Sequence, residues 1–133
     1  MTGIAPVVRQ FVLCEDVRVD NSPFKRVTLV NLLHTIRSNG IPPFPYSQRE
    51  FCAYLEISAV RGGNLRIVIS HASTNIIVFR TPDVPLGLDL DPRKMLSLSF
   101  RMRNCTFPSA GVYWVELWYN HTALVQQSIL VRS

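Results

Sequence analysis

Hydrophobic and polar residues alternate along much of this chain, as they do in strands that bury one face. In the segment 95–103, Leu96, Leu98, Phe100 and Met102 share one face, while serines and arginines share the other. Valine, isoleucine and aromatic residues are frequent in such segments, and Asn, Gly and Pro separate them. No helical period persists over the length of a helix. We therefore predict eight strands, at 7–14, 27–36, 51–60, 65–71, 75–80, 95–103, 112–119 and 123–131.

The same alternation assigns a core. One wet face and one dry face per strand is typical of antiparallel sheets packed as a sandwich. No internal repeat or linker divides the chain. The sequence predicts an all-β fold, a single antiparallel β-sandwich domain over residues 1–133 with about eight strands, immunoglobulin-like or C2-like. The inward residues of the third and fourth strands are Phe51, Ala53, Leu55, Ile57, Leu65, Ile67 and Ile69.

The strand 112–119 has one entirely apolar face, and its other face carries two tryptophans around a glutamate. A glutamate rarely enters a core without a partner, so the tryptophans should point outward. Exposed aromatic patches often mark interfaces, and Trp is a frequent interface anchor. The inward residues are then Tyr113, Val115, Leu117 and Tyr119, and the outward ones Trp114, Glu116 and Trp118.

The hairpin after this strand sets which residues lie opposite one another. A three-residue loop at 120–122 pairs Trp118 with Leu124 and Glu116 with Gln126. A two-residue loop would place a glutamine opposite a core valine, which is a poorer match. We therefore expect an outer patch that is either a contact surface or covered by a long loop. Its interface candidates are Trp114, Trp118, Leu124 and Glu116.

Two long irregular connections, 37–50 and 81–94, are the other places to expect a site. The second is rich in aspartate, and carboxylates of this kind bind calcium in C2 domains. The residue order of a calcium loop is absent, however, so turn-forming aspartates in a solvated loop are the simpler interpretation. A calcium or small-ligand site in these loops remains the alternative function. The aspartates concerned are Asp83, Asp89 and Asp91, with Asp16 and Asp20.

Composition narrows the chemistry. The net charge is +5, but the twelve arginines and two lysines are scattered, so nucleic acid is an unlikely partner. The histidines His34, His71 and His121 lack metal-ligand spacing, and no catalytic or phosphate-binding motif occurs. We expect no enzyme, no cofactor and no metal. Three cysteines without a C-x-x-C pair, no signal peptide and no apolar run long enough to span a membrane favour a cytoplasmic protein.

Three stretches carry a resemblance to a known family. FVLCEDVRVDNSPFKRVTLVNLLHTIRS at 11–38, PFPYSQREFCAYLEIS at 43–58 and FPSAGVYWVELWYNHTALVQQSILV at 107–131 resemble an uncharacterised bacterial family of small β-sandwich domains of unknown function. The resemblance implies a free-standing sandwich and no particular activity. In addition, AGVYWV resembles the tyrosine corner of immunoglobulin-type sandwiches, although Val115 stands where antibody domains have a cysteine.

These observations favour a non-enzymatic module for protein–protein interaction or assembly, in a bacterial cytoplasm or in a phage-related or other multi-component system. The expected contact face is the outer side of the hairpin 112–119/123–131. A protein partner or self-association would use this face.

Overall fold

The computed structural model describes residues 5–20, 23, 26–58, 62–87 and 95–133. All regular structure among them is β, so no described segment is a helix long and apolar enough to cross a membrane. The ten described strands are β1 (Val7–Asp20), β2 (Arg26–Leu32), β3 (Thr35–Arg37), β4 (Tyr46–Ser58), β5 (Gly63–His71), β6 (Ile77–Arg80), β7 (Val84–Leu86), β8 (Leu96–Phe107), β9 (Gly111–Tyr119) and β10 (Thr122–Arg132).

The strands form two sheets that pack face to face. One sheet has the order β2-β1-β4-β8 and is antiparallel throughout. The other has the order β3-β10-β9-β5-β6, with β7 paired to β5, and is antiparallel except for the short β3–β10 pair. The predicted β-sandwich is confirmed, with ten strands rather than about eight.

The core lies between the sheets and follows the predicted alternation. Every residue that the sequence assigned inward in β4, β5 and β9 is buried. Tyr54 points to the outer side as predicted, but only 5 % of it is exposed. Cys52, on the same side, is also buried, so β4 is buried on both faces in its middle part.

The tyrosine corner is present at the start of β9. The hydroxyl of Tyr113 donates to the carbonyl oxygen of Ser109 at 2.7 Å. The Tyr113 ring meets the rings of Phe107 and His71 edge-on, with centroids 4.9 Å and 4.8 Å away. Gly111 has a φ of 142° and leaves no room for a side chain, because a Cβ there would lie 2.9 Å from Nε2 of His71. The AGVYWV stretch thus builds the corner that its sequence predicted.

The segment 27–36 is not one strand. Its first part, β2, pairs with β1 in the four-stranded sheet, and its last part, β3, runs parallel to β10 in the other sheet. Asn31, with a φ of 52°, lies just before the change. The chain crosses between the sheets at Leu33–His34, where the amide of Leu33 still donates to Leu13 and the carbonyl of His34 accepts from Leu130.

The β9–β10 hairpin differs from its predicted form in one respect. Its turn has two residues, Asn120 and His121, and a bulge follows between Ala123 and Val125. Ala123, not Leu124, therefore lies opposite Trp118, so that predicted pair is wrong. Beyond the bulge the register is the predicted one. The extra residue compensates for the shorter turn, so Glu116 lies opposite Gln126 and Trp114 opposite Ser128.

Candidate functional site

The outer face of the six-stranded sheet carries both tryptophans. Trp114, Glu116 and Trp118 alternate with buried residues of β9 and are themselves partly buried. On the neighbouring strand β5, Val68 lies opposite Glu116 and Ser70 opposite Trp114, and both are buried although they lie on the outer side. We call the surface around these three β9 residues the tryptophan face.

Trp118 is held in place by an arginine. Arg66, directly opposite it on β5, lies over the indole with its guanidinium carbon 5.2 Å from the ring centroid. Arg66 also donates to the carbonyl of Asn120 at 2.8 Å and lies 3.8 Å from a carboxylate oxygen of Asp83. The indole Nε1 of Trp118 is inaccessible and has no acceptor among the described residues. Trp118 is thus fixed by stacking rather than by hydrogen bonding.

Exposed apolar residues continue the tryptophan face toward one end of the sheet. Val112 and Leu130 lie opposite each other on β9 and β10, with 41 % and 40 % exposure. Ile77 of β6 lies opposite Ser70, which in turn lies opposite Trp114, and it is 47 % exposed. The face therefore combines a tryptophan pair, an exposed aliphatic rim and the charges of Glu116 and Arg66.

Leu124 does not lie opposite Trp118 as the sequence predicted, because it is the extra residue of the bulge. It is partly buried against the hydrophobic core, and it also lines a surface hollow with Glu116 and Gln126. Leu130, Val112 and Ile77 extend the apolar surface at the other end of the sheet.

The loop residues do not assemble into a calcium site among the described residues. Asp83 pairs with Arg66, and Asp16 pairs with Arg101 on the other sheet at 2.8 Å. Asp20 lies at the end of β1, and Asp89 and Asp91 lie outside the described residues. The described part of 81–94 includes β7, which pairs with β5. Residues 38–45 join β3 to β4 and include two cis peptide bonds before prolines.

The histidines are likewise separate. The ring of His71 packs on Tyr113, and its Nδ1 is hydrogen-bonded to the hydroxyl of Ser73 at 2.9 Å. His34 lies between β2 and β3, and His121 is in the β9–β10 turn. In the described part of the chain, no three histidine, cysteine, aspartate or glutamate side chains come together as a metal site.

A second polar cluster lies on the outer face of the four-stranded sheet. Arg101 donates to Glu50 at 2.7 Å and to Asp16 at 2.8 Å. Hydrogen bonds from Arg101 hold the pKa of each carboxyl below its usual value. The cluster lies beside two cysteines, Cys14 and Cys52, which are opposite each other on β1 and β4 and fully buried.

The three cysteine thiols have low nucleophilic reactivity in this environment. Burial raises the pKa of Cys14 to about 11 and also raises the pKa of Cys52. The third cysteine, Cys105, lies in the core, where burial raises its pKa to about 12. Because the thiolate is the reactive form, none of the three is set up as a nucleophile. The tryptophan face is therefore the site that best combines accessibility with recognition chemistry.

Comparisons with known proteins bear on the fold. No protein-family model and no curated protein sequence matches the chain. The resemblance of its sequence to a bacterial family of small sandwich domains therefore stays a prediction.

Several solved structures resemble the chain in shape. A β-glucosidase from Listeria innocua matches with a TM-score of 0.51 and 8 % identity, over 93 % of this chain and 16 % of that one. The alkylpurine DNA glycosylase AlkC of Pseudomonas fluorescens, bound to DNA, matches with a TM-score of 0.48 and 12 % identity, over 92 % of this chain and 30 % of that one. An immunoglobulin-like protein of Pseudomonas aeruginosa matches with a TM-score of 0.44 and 10 % identity, over 99 % of this chain and 100 % of that one. The chain spans less than a third of the first two proteins, and at these identities the likeness concerns the fold alone.

Proposed function

We propose that this protein is a non-enzymatic protein–protein interaction module that binds its partner through the tryptophan face. The observation that carries the proposal is the position of Trp114 and Trp118, on either side of Glu116 on an outer sheet surface that no other described strand covers. Large aromatic side chains fixed in one orientation lose little conformational entropy on binding, which is why they dominate interface energetics.

The charges on the face support a protein partner. Arg66 is already oriented by its stacking on Trp118, and Glu116 lies between the two indoles. Apolar residues surrounded by a few charges are the usual arrangement of a recognition surface, in which the aromatic centre supplies affinity and the charges supply specificity. The bacterial, cytoplasmic setting predicted from the sequence belongs to the same proposal.

The double substitution Trp114→Ala with Trp118→Ala tests the proposal. Because both side chains lie outside the sandwich core, we expect the variant to fold, with far-ultraviolet circular dichroism like that of the unmodified chain. Light scattering across a concentration series then measures self-association. If the partner is a second copy, the mass falls toward 15.1 kDa in the variant only. If the two masses are equal, the partner is a protein of another sequence, which affinity capture with the same variant detects.

A further inference from the structure

The edge of β10 is paired over only part of its length. On one side, β10 pairs with β9 from Thr122 to Val131. On the other side, among the described residues, it pairs only with β3, at Leu130–Arg132. As far as the described strands show, the segment 122–129 thus presents an open edge in the six-stranded sheet.

The backbone groups at this edge can be assigned by alternation. The amide of Leu130 donates to His34, and the carbonyl of Arg132 accepts from Ser38, so even-numbered residues of β10 direct their backbone toward β3. Successive residues of a strand point their N–H and C=O groups to opposite sides. The N–H and C=O groups of Gln126 and Ser128 therefore point to the open edge. They form the start of an unfilled hydrogen-bonding ladder.

The other sheet overhangs this edge by one strand. The side chain of Gln127 donates to the carbonyl of Phe11 at 3.0 Å, which places β1 across from β10. In the four-stranded sheet, β2 lies next to β1. The strand facing β2 in the other sheet is β3, which lies next to β10 but covers only residues 35–37. Neighbouring strands lie about 4.8 Å apart, so the gap beside β10 is one strand wide.

The overhang presents an apolar underside. Asp16 is on the outer face, because it binds Arg101 there, so the next residue, Val17, faces the inside of the sandwich. Its partner on β2 is Leu29, and both are only partly buried. A groove of about 240 Å³ opens beside Gln127 and Ser128, and it is lined by Phe11–Leu13 of β1 and by Leu32–His34, where the chain crosses between the sheets.

Beyond the bulge at Leu124, the edge lacks the features that usually block pairing. From Val125 to Val131 the chain has no charged residue and no proline. The long edge strand β8, by contrast, carries Arg101 and Arg103, and the edge strand β6 has four residues. Natural proteins protect sheet edges with charge, proline, bulges or short length, and of these β10 has only the bulge at the far end of its edge.

We propose that this edge and groove bind one extended, uncharged segment of a partner protein, which adds to the sheet as a strand beside β10. Its backbone pairs with Gln126 and Ser128, and every second side chain is apolar and enters the groove beneath β2. The neutral edge and the apolar underside fit a segment without charge. The site is separate from the tryptophan face and is inferred independently of it.

A second copy of the chain does not fit this gap through its own β10. Pairing the two β10 edges around a two-fold axis would make one continuous sheet, with both four-stranded sheets on the same side. Each β2 overhang would then occupy the space of the other copy's β1. A single flexible segment has no such overhang, so it is the occupant that the gap accepts.

The probe for the test is an acetylated, amidated peptide of about nine residues with alternating valine and threonine. Amide hydrogen exchange of the isotope-labelled protein is followed by NMR. In the free protein, we expect the amides of Gln126 and Ser128 to exchange fast and that of Gln127, on the side paired with β9, to exchange slowly. With peptide at about 1 mM, we expect the protection of Gln126 and Ser128 to rise about tenfold. Unchanged exchange at saturating peptide would overturn the proposal.

Two N-methylated peptides identify the mode of binding. One peptide is methylated on the amides of its odd-numbered residues and the other on those of its even-numbered residues, so each has a different edge of the strand blocked. The peptide whose blocked edge faces β10 should lose binding, and the other should keep it. Equal binding by both would contradict strand addition, since binding would then not use the backbone.

Matched protein variants locate the site. Leu29 and Val30 are consecutive, half-buried residues of β2, but Leu29 faces the inside of the sandwich and Val30, opposite Asp16, faces the outside. Leu29→Asp should weaken peptide binding about tenfold or more, and Val30→Asp should leave it unchanged. The Trp114→Ala/Trp118→Ala variant should bind the peptide normally. Binding lost in that variant but kept in Leu29→Asp would place the peptide on the tryptophan face and refute the edge site.

Discussion

Arg66 lies directly over the indole of Trp118, with its guanidinium carbon 5.2 Å from the ring centroid. The pair joins β5 to β9 on the outer side of the sheet, and the same arginine also binds the turn at Asn120. The contact orients a large aromatic side chain that would otherwise be free to rotate into solvent. The tryptophan face is therefore ordered before any partner arrives, which lowers the entropic cost of binding.

Removing this arginine should loosen the face. We expect Arg66→Ala to lower the free energy of unfolding by about 1 kcal/mol, because the cation–π contact and the hydrogen bond to Asn120 are both lost. Tryptophan emission should shift to longer wavelength as the indole of Trp118 becomes exposed. The control is Arg80→Ala, which removes an exposed arginine of the neighbouring strand β6. Equal emission shifts in the two variants would show that stacking does not order Trp118.

The packing of β5 against β9 depends on a glycine. A Cβ at position 63 would lie 2.4 Å from Cε1 of Tyr119, whose hydroxyl donates to the carbonyl of Gly62 at 2.9 Å. Gly63→Ala should therefore cost about 1–3 kcal/mol of stability in urea unfolding. Gly87→Ala is the matched control, since a Cβ there meets no heavy atom within 4 Å. A cost for Gly87→Ala as large as that for Gly63→Ala would contradict this packing.

The tyrosine corner should contribute measurably to stability. Tyr113→Phe keeps the ring in the core but removes the hydroxyl that donates to Ser109, so thermal and urea unfolding should show a loss of about 1–2 kcal/mol. Tyr46→Phe serves as control, because its hydroxyl donates to the side chain of Gln48, whose oxygen can bind water instead. If both variants lose the same stability, the corner hydrogen bond has no special role.

The cluster around Arg101 predicts a dependence on pH. The pKa values of Asp16 and Glu50 are lower in the folded protein than their ordinary values, so the two carboxylates stabilise the fold above those ordinary values. This stabilisation is lost as the pH falls through the lowered folded-state pKa values. Arg101→Met should thus cost most at pH 6–8, and the difference from the unmodified chain should shrink below about pH 4.

Urea unfolding at a series of pH values measures this difference. The exposed Arg9 of β1 supplies the control, Arg9→Met, whose effect on stability should not change over the acidic range. A cost of Arg101→Met that stays constant down to pH 2 would show that the two carboxylates gain nothing from the arginine.

Much of the core was predictable, because the alternation of apolar and polar residues along a strand shows which side chains face the inside of the sandwich. In β9, the contrast between an all-apolar face and one containing Glu116 was enough to orient both tryptophans. The corner was predictable as well, since Gly111 and Tyr113 occupy the positions that its geometry requires. These features depend on residues close together in the chain.

What the sequence did not reveal depends on distant parts of the chain. A three-residue loop and a two-residue turn followed by a bulge give the same register from Val125 onward, so local pattern could not place Leu124. The division of 27–36 was missed because Val, Leu and Ile suit either sheet. Only the pairing with β1 and then with β10 shows where the chain crosses. Asn31, a residue type that tolerates a positive φ, lies just before the crossing.

The most direct test of the proposed interaction surface is quantitative affinity capture with three immobilised forms of the chain. The baits are the unmodified protein, the Trp114→Ala/Trp118→Ala variant and a Val7→Ala/Val19→Ala variant, which removes exposed apolar residues of β1. Each is incubated with a lysate of the cells that express the chain, and bound proteins are measured by mass spectrometry.

We predict that the unmodified bait and the Val7→Ala/Val19→Ala bait both retain at least one protein. A second copy of the chain counts as such a protein. Its retention on the tryptophan variant should fall about tenfold or more, as expected for the loss of two interface anchors. Identical sets of bound proteins on all three folded baits would contradict the account.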